Sequence, residues 1–171
     1  MFNLRDYQLN AEQQARLSLA RGNRRVVLYL PTGGGKTLTA TSIITKALAK
    51  GKKVVFLANR KQLVKQTSEV LFLYGIAHGI LQAENTTRIH EQVVVASIDT
   101  VHVRGLPPDV GLIIIDECHG VAGSEKYRKL LAKYNAVPVV GLTATPFSAG
   151  MSKHYPELGG KLFEDLIIGA T

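Results

Sequence analysis

This sequence predicts an α/β fold, a mostly parallel sheet covered by helices on both faces, and three observations carry that prediction. Short apolar runs alternate with stretches of helical spacing. The runs are apolar at every position rather than at every second one. The chemically distinctive residues fall just after them. A run apolar throughout suits a strand buried on both faces. Alternation of strand and helix implies parallel pairing, and ligands of such sheets bind beyond the carboxyl ends of the strands.

The elements follow in order. Asn10 is placed to cap a helix over residues 11–20, with Gln13 completing a capping box. Val26 to Leu30 is the first apolar run, ended by Pro31 and three glycines. Residues 37–50 carry Ala40, Ile43, Ile44, Ala47 and Leu48 at helical spacing, and Gly51 stops them. Val54 to Ala58 reads as the next strand. Residues 60–74 place Leu63, Val64, Thr67, Val70, Leu71 and Tyr74 on one helical stripe. Further strands are predicted over 92–98, 112–115 and 137–142, and a helix over 125–134 with Ser124 as its N-cap.

With 171 residues the chain predicts one domain, long enough to bury a proper core. Sixteen Gly without a period, six Pro and plentiful Ile, Leu and Val exclude collagen-like and disordered classes. A single cysteine, Cys118, excludes an internal disulfide and an all-cysteine zinc site. No apolar run approaches a membrane span, so a soluble intracellular protein without a membrane partner is expected. The formal net charge is +8, unevenly placed: twelve basic residues and no acid lie between Gln13 and Ser68, leaving −4 on the rest. Such a basic region suits a polyanion, since Lys and Arg contact phosphates, or serves as a solvated face. Without Trp, and with eleven Phe and Tyr, a base-stacking platform is not expected.

Two constellations carry chemistry. Pro31-Thr32-Gly33-Gly34-Gly35-Lys36-Thr37 lies between the first strand and the first long helix. Glycines let backbone N–H groups turn in around a phosphate, and a helix N-terminus adds partial positive charge. Lys36 would then reach the β and γ phosphates and the Thr37 hydroxyl would ligate Mg²⁺. The full phosphate-loop pattern opens with Gly or Ala, where this chain has Leu30. About 80 residues later, Asp116-Glu117-Cys118-His119 follows the buried run Leu112 to Ile115. A carboxylate at such a strand end is costly without a cation. Beside a phosphate loop that cation is Mg²⁺, anchored by Asp116 directly or through water, while Glu117 faces the attacking water as general base or water positioner. Cys118 and His119 alternatively suggest a thiol nucleophile or metal ligands, but adjacent side chains point apart and no other cluster supports a metal.

Asp116-Glu117-Cys118-His119 resembles the Asp-Glu-x-His box of superfamily-two helicases and translocases, and Thr143-Ala144-Thr145-Pro146 looks like their third motif. The resemblance implies that His119, Thr143 and Thr145 couple nucleotide state to nucleic-acid binding and domain closure. Leu4-Arg5-Asp6-Tyr7-Gln8 resembles the Q-motif, which implies ATP selection by Arg5 and by Gln8 hydrogen-bonding adenine. Leu57 to Gln66 resembles motif Ia, implying backbone contacts from Asn59 and Arg60. Ala96 to Thr100 resembles motif Ic, with Thr100 matching and Asp99 standing where Gln is commoner.

The resemblance covers residues 1 to about 150 and is nearest to bacterial and phage DNA helicases related to type I restriction motor subunits. It implies a RecA-like phosphate-loop NTPase domain over 1–171, with a Q-motif-like segment at 1–22. A tail at 151–171 would lead toward a second RecA-like domain, which the family has and this sequence does not show. Leu162-Phe163 and Leu166 to Ile168 would form the last strand of the tail. ATP and Mg²⁺ are the implied cofactors, nucleic acid (DNA before RNA) the partner, and bacterial or phage cytoplasm the location. Because the family's arginine finger lies in the second domain, this chain alone is expected to hydrolyse ATP slowly or not at all. The alternatives are a stand-alone nucleotide- and nucleic-acid-binding module without motor activity, and a phosphate-loop kinase. A kinase would leave Thr-Ala-Thr-Pro without a role.

Overall fold

The computed structural model describes residues 3–31, 35–145 and 150–169. Helix α1 (Asp6–Ala20) leads into strand β1 (Arg25–Tyr29), and α2 (Lys36–Ala49), β2 (Lys53–Ala58) and α3 (Lys61–Leu73) follow. Next come β3 (Gly79–Leu81), β4 (Val93–Ser97), α4 (Ile98–Arg104), β5 (Val110–Ile115), α5 (Glu125–Lys133) and β6 (Val139–Thr143). A two-residue hairpin, β7 (His154–Tyr155) and β8 (Gly160–Lys161), precedes β9 (Asp165–Ile168). Seven strands join in the order β3-β4-β2-β5-β6-β1-β9, every pair parallel, as the sequence predicts. Leu28 of β1 stands opposite Leu142 of β6 on one side and Ile167 of β9 on the other.

The all-apolar runs are explained by two separate core layers. Val26, Leu28, Phe56, Ile114 and Leu142 face Ala11 and Ala15 of α1, Ile44 of α2, and Val64 and Leu71 of α3. Their chain neighbours Val27, Val55, Leu57, Ile113 and Ile115 face the other way, onto Val101 of α4 and Tyr127, Leu130 and Leu131 of α5. A polar residue at either parity would enter a dry layer.

The predicted strands and long helices lie within two residues of those observed, except at four places. Helix α1 starts a turn earlier than expected: Asn10 is inside it, and the backbone N–H of N-cap Arg5 donates to Gln8 Oε1 at 2.8 Å. Gln8 three residues into the helix, and Asp6 in its first turn, are the start signal. The strand predicted over 92–98 ends at Ser97, and α4 over Ile98–Arg104 and the three-residue strand β3 answer to no predicted element. In the tail only residues 165–168 form the last strand; Leu162 and Phe163 turn into the second core layer instead. Tyr74, expected on the stripe of α3, is its C-cap and exposed. Ser124 does cap α5, accepting from the Tyr127 N–H at 3.5 Å.

One close contact fixes the acidic turn against the sheet. Cys118 is fully buried, and a Cβ on Gly141 of β6 would lie 2.7 Å from its Sγ and 2.9 Å from its Cβ. Gly141→Ala therefore forces backbone apart and is expected to cost about 1–3 kcal/mol. Urea unfolding of the variant checks this; an unchanged midpoint would contradict the packing.

Candidate functional site

The predicted chemical residues converge at the carboxyl ends of the central strands β1, β5 and β6. Thr32, Gly33 and Gly34, three residues of the expected phosphate cradle, lie outside the described residues, as does Pro146. Gly35, the N-cap of α2, has φ +73°. Its carbonyl accepts from Gln8 Nε2 at 3.4 Å, and a Cβ there would sit 2.2 Å from that nitrogen. A side chain here would strain the left-handed backbone and push the Gln8 amide off its hold. Buried Gln8 thus ties the start of α1 to the end of the glycine run.

Helix α2 begins at Lys36, so its first N–H groups and its positive dipole end face the place where the glycines end. Lys36 Nζ hydrogen-bonds Glu117 Oε1 and lies 3.7 Å from Asp116 Oδ1. Asp116 directly follows β5, its N–H held by the Leu57 carbonyl at 3.0 Å. Burial pushes its carboxyl above the usual range, the Lys36 ammonium draws it back, and Glu117 adds to the rise. Asp116 is thus the carboxylate with most to gain from a further cation. Glu117 has φ +51°, outside the usual range for a side-chain-bearing residue, and its N–H donates to Asp116 Oδ1 at 2.9 Å. This left-handed turn puts both carboxylates on one ammonium, which an extended strand would separate.

His119 connects the acidic turn to β6. Its Nδ1 lies 3.4 Å from Glu117 Oε2 and 3.2 Å from Thr143 Oγ1. The Thr143 hydroxyl donates to the Thr145 carbonyl at 3.0 Å and accepts the Thr145 N–H at 2.9 Å. His119 Nδ1 thus stands between the Thr143 hydroxyl oxygen, whose hydrogen is engaged by Thr145, and the Glu117 carboxylate. Lys36, Glu117, His119, Thr143 and Thr145 therefore form one polar chain across three strand ends. Cys118 takes no part: burial drives its thiol upward, away from the thiolate.

Thr37 is exposed on the first turn of α2, and its carbonyl accepts from Thr41 Oγ1 at 2.7 Å. Arg5, Asn59 and Arg60 are exposed, Arg60 as the N-cap of α3. Among the described residues the Arg60 guanidinium has no ion pair. Thr100, expected on the surface track, is buried in α4 and its hydroxyl accepts from the Ala83 N–H at 2.8 Å. Asp99 pairs with Lys126 at 2.5 Å. Sequence reasoning missed the clamp of α1 on α2, where buried Glu12 meets Ser42 at 3.0 Å and Lys46 at 2.7 Å. An acid at helical spacing from Gln8 was its only signal.

A parallel sheet in this order, with one lysine and an acidic turn together at its carboxyl end, has the architecture of a RecA-like domain of the helicase class. The model of the family described as type III restriction enzyme, res subunit, matches residues 1–148, and the chain belongs to that family. The endonuclease subunit of the type I restriction enzyme EcoAI from Escherichia coli is 34% identical over 83% of this chain and 19% of its own length. The putative ATP-dependent helicase IRC3 of Saccharomyces cerevisiae is 33% identical over 83% of this chain and 23% of its own length. The Hef helicase domain of Pyrococcus furiosus superposes with a TM-score of 0.73 at 25% identity, over 96% of this chain and 37% of that one. The chain thus spans about a fifth of the curated relatives it matches. No described helix is long and apolar enough to cross a membrane.

Proposed function

We propose that this chain is the ATP-binding half of a DNA helicase or translocase motor, completed by a second RecA-like domain. The observation carrying this reading is Lys36 shared between Asp116 and Glu117 at the carboxyl ends of β1 and β5. An ammonium held by two carboxylates is poised to exchange them for phosphate oxygens, and α2 adds its N-terminal amides. Arg5 and Gln8 meet the base, Gln8 while keeping its hold on Gly35.

The residues fit Mg²⁺, which takes hard oxygen ligands and leaves other positions to substrate phosphates. The Thr37 hydroxyl and the Asp116 carboxylate would hold it, and burial of Asp116 is the structural sign of a carboxylate suited to a cation. Bound there, the ion would neutralise charge developing on the phosphates. Glu117, released by Lys36, orients water and takes its proton as the water oxygen bonds the γ-phosphorus and the bond to ADP breaks. His119 holds the other oxygen of Glu117 and passes its position to Thr143 and Thr145, and so to the loop beyond β6. Arg60, at the start of α3, takes a nucleic-acid phosphate, joined by Asn59. Thr100 serves that track by fixing residue 83 and its loop. A relative named as the ATP-dependent DNA helicase MPH1 of Candida glabrata, 27% identical over 85% of this chain, supports DNA as the polymer.

An arginine finger from a second domain is worth on the order of 10³ to 10⁵ in rate. This chain alone is therefore expected to bind Mg·ATP without turnover above a Lys36→Ala blank, with or without single-stranded DNA, duplex DNA or RNA. Turnover at ordinary enzyme rates that ignores all three polymers would overturn the motor reading.

A further inference from the structure

A second concavity lies at the opposite pole of the sheet. It is a half-open cleft of about 450 Å³ between α1 and α2. Its floor is Leu112, Pro138 and Val140, at the amino ends of β5 and β6; Leu19, Ile43 and Ala47 form its walls. Lys36, Asp116 and Thr143 stand at the carboxyl ends of the same sheet, so the length of the strands separates the two places.

The rim of this pocket is cationic. Arg16, Lys50 and Lys52 border it, all three exposed, and none has an ion pair or side-chain hydrogen bond among the described residues. The one acid in the lining is Glu12, already balanced by Lys46 at 2.7 Å and Ser42 at 3.0 Å. The methylenes of Lys52 pack beside Gly111, next to Leu112 of the floor, and leave the side chain at the pocket's border. The acid-free stretch from Gln13 to Ser68 therefore divides its charge. Lys36 and Arg60 serve the carboxyl pole, and Arg16, Lys50 and Lys52 ring a separate apolar hollow. A nucleic-acid backbone has no apolar body with which to fill it.

We propose that this pocket binds a small amphipathic anion, an aliphatic or aromatic body bearing one carboxylate, sulfonate or phosphate. The body lies on Leu112 and Val140, and the charged head meets Lys50, Lys52 and Arg16. Half-open, largely apolar clefts of this size with a few convergent polar groups are what such ligands occupy.

The probe is anilinonaphthalene sulfonate, titrated by fluorescence into the folded 171-residue chain. Saturable binding of one molecule per chain is expected, displaced by decanoate and not by decyltrimethylammonium. The double variant Lys50→Glu/Lys52→Glu should weaken it about tenfold, 1.4 kcal/mol. The charge-matched Lys153→Glu/Lys161→Glu, on the far side of the sheet, should leave it unchanged. Equal weakening by both double variants would reduce the effect to net charge and overturn the site. So would displacement by the cationic chain, or the absence of saturable binding. Neither double variant touches Lys36 or Glu117, so the pocket and the nucleotide site stand or fall separately.

Discussion

Lys36→Ala is expected to abolish Mg·ATP binding, weakening it by about 10²-fold or more, as loss of a charge-assisted phosphate contact in a preorganised site does. Titration with a fluorescent ATP analogue checks this. The variant has a second consequence that a surface lysine would not have. Lys36 is only 19% exposed, against 15% for Asp116 and 32% for Glu117, so its removal leaves two part-buried carboxylates facing each other. Stability should fall at neutral pH by roughly 1–3 kcal/mol. The sign with pH follows from what is lost. The ammonium lowers Asp116's affinity for a proton, and once that carboxyl is protonated at acid pH the charge pairing with Lys36 is lost. The gap between variant and parent should narrow as pH falls through the Asp116 titration. A nucleotide-binding loss without a pH-dependent stability loss would mean that Lys36 does not bridge the carboxylates.

The sheet was legible because its physics is local to each strand. Val26 to Leu30 and Leu112 to Ile115 are apolar at both parities, and only a strand with a core layer on each face needs that. Helix α4 was not legible. Ile98, Thr100, Val101 and Val103 are branched residues that favour strands, and β-propensity pointed the wrong way. Tertiary structure decides there: Ile98 and Val101 fill the layer beneath α5, and Thr100 satisfies the Ala83 N–H. Strand β3, three residues beside β4, is too short for any period to show.

At the candidate site, residue types were legible and their connections were not. Glycines followed by Lys36, and Asp116-Glu117 after a buried run, announce themselves by chemistry and position. That Glu117 takes a left-handed conformation, or that His119 reaches Thr143 rather than solvent, depends on the Gly141–Cys118 contact that seats the turn. Gln8 carried one reading, an adenine contact implied by resemblance, while the helix start was placed at Asn10. The structure shows the buried Gln8 amide capping Arg5 and holding Gly35, a local start signal that was passed over.

The adjacent carboxylates should separate cleanly when each is made neutral. Asp116→Asn is expected to raise the melting temperature at pH 7 while removing Mg²⁺-dependent nucleotide binding. Burial holds the Asp116 carboxyl above its unfolded value, so the folded chain takes up that proton more readily than the unfolded chain. Its stabilising contribution is then full below the unfolded value and is lost as pH rises through the folded one. Asparagine has no such dependence, so the variant's advantage should be absent at low pH and open as pH rises toward neutral. Thermal melts across that range check the sign. A function retained at a cost in stability is the trade expected of a site that waits for a cation. Glu117→Gln differs in kind: Lys36, Thr37 and Asp116 remain, so Mg·ATP binding should survive and only proton removal from water should fail. Its test needs turnover, and therefore the chain joined to the second RecA-like domain of the proposed motor, where kcat should drop by about 10²–10⁴ with binding intact. Should Glu117→Gln lose nucleotide as Lys36→Ala does, Glu117 would be holding the phosphate site together rather than acting on water, and the general base would have to be sought elsewhere.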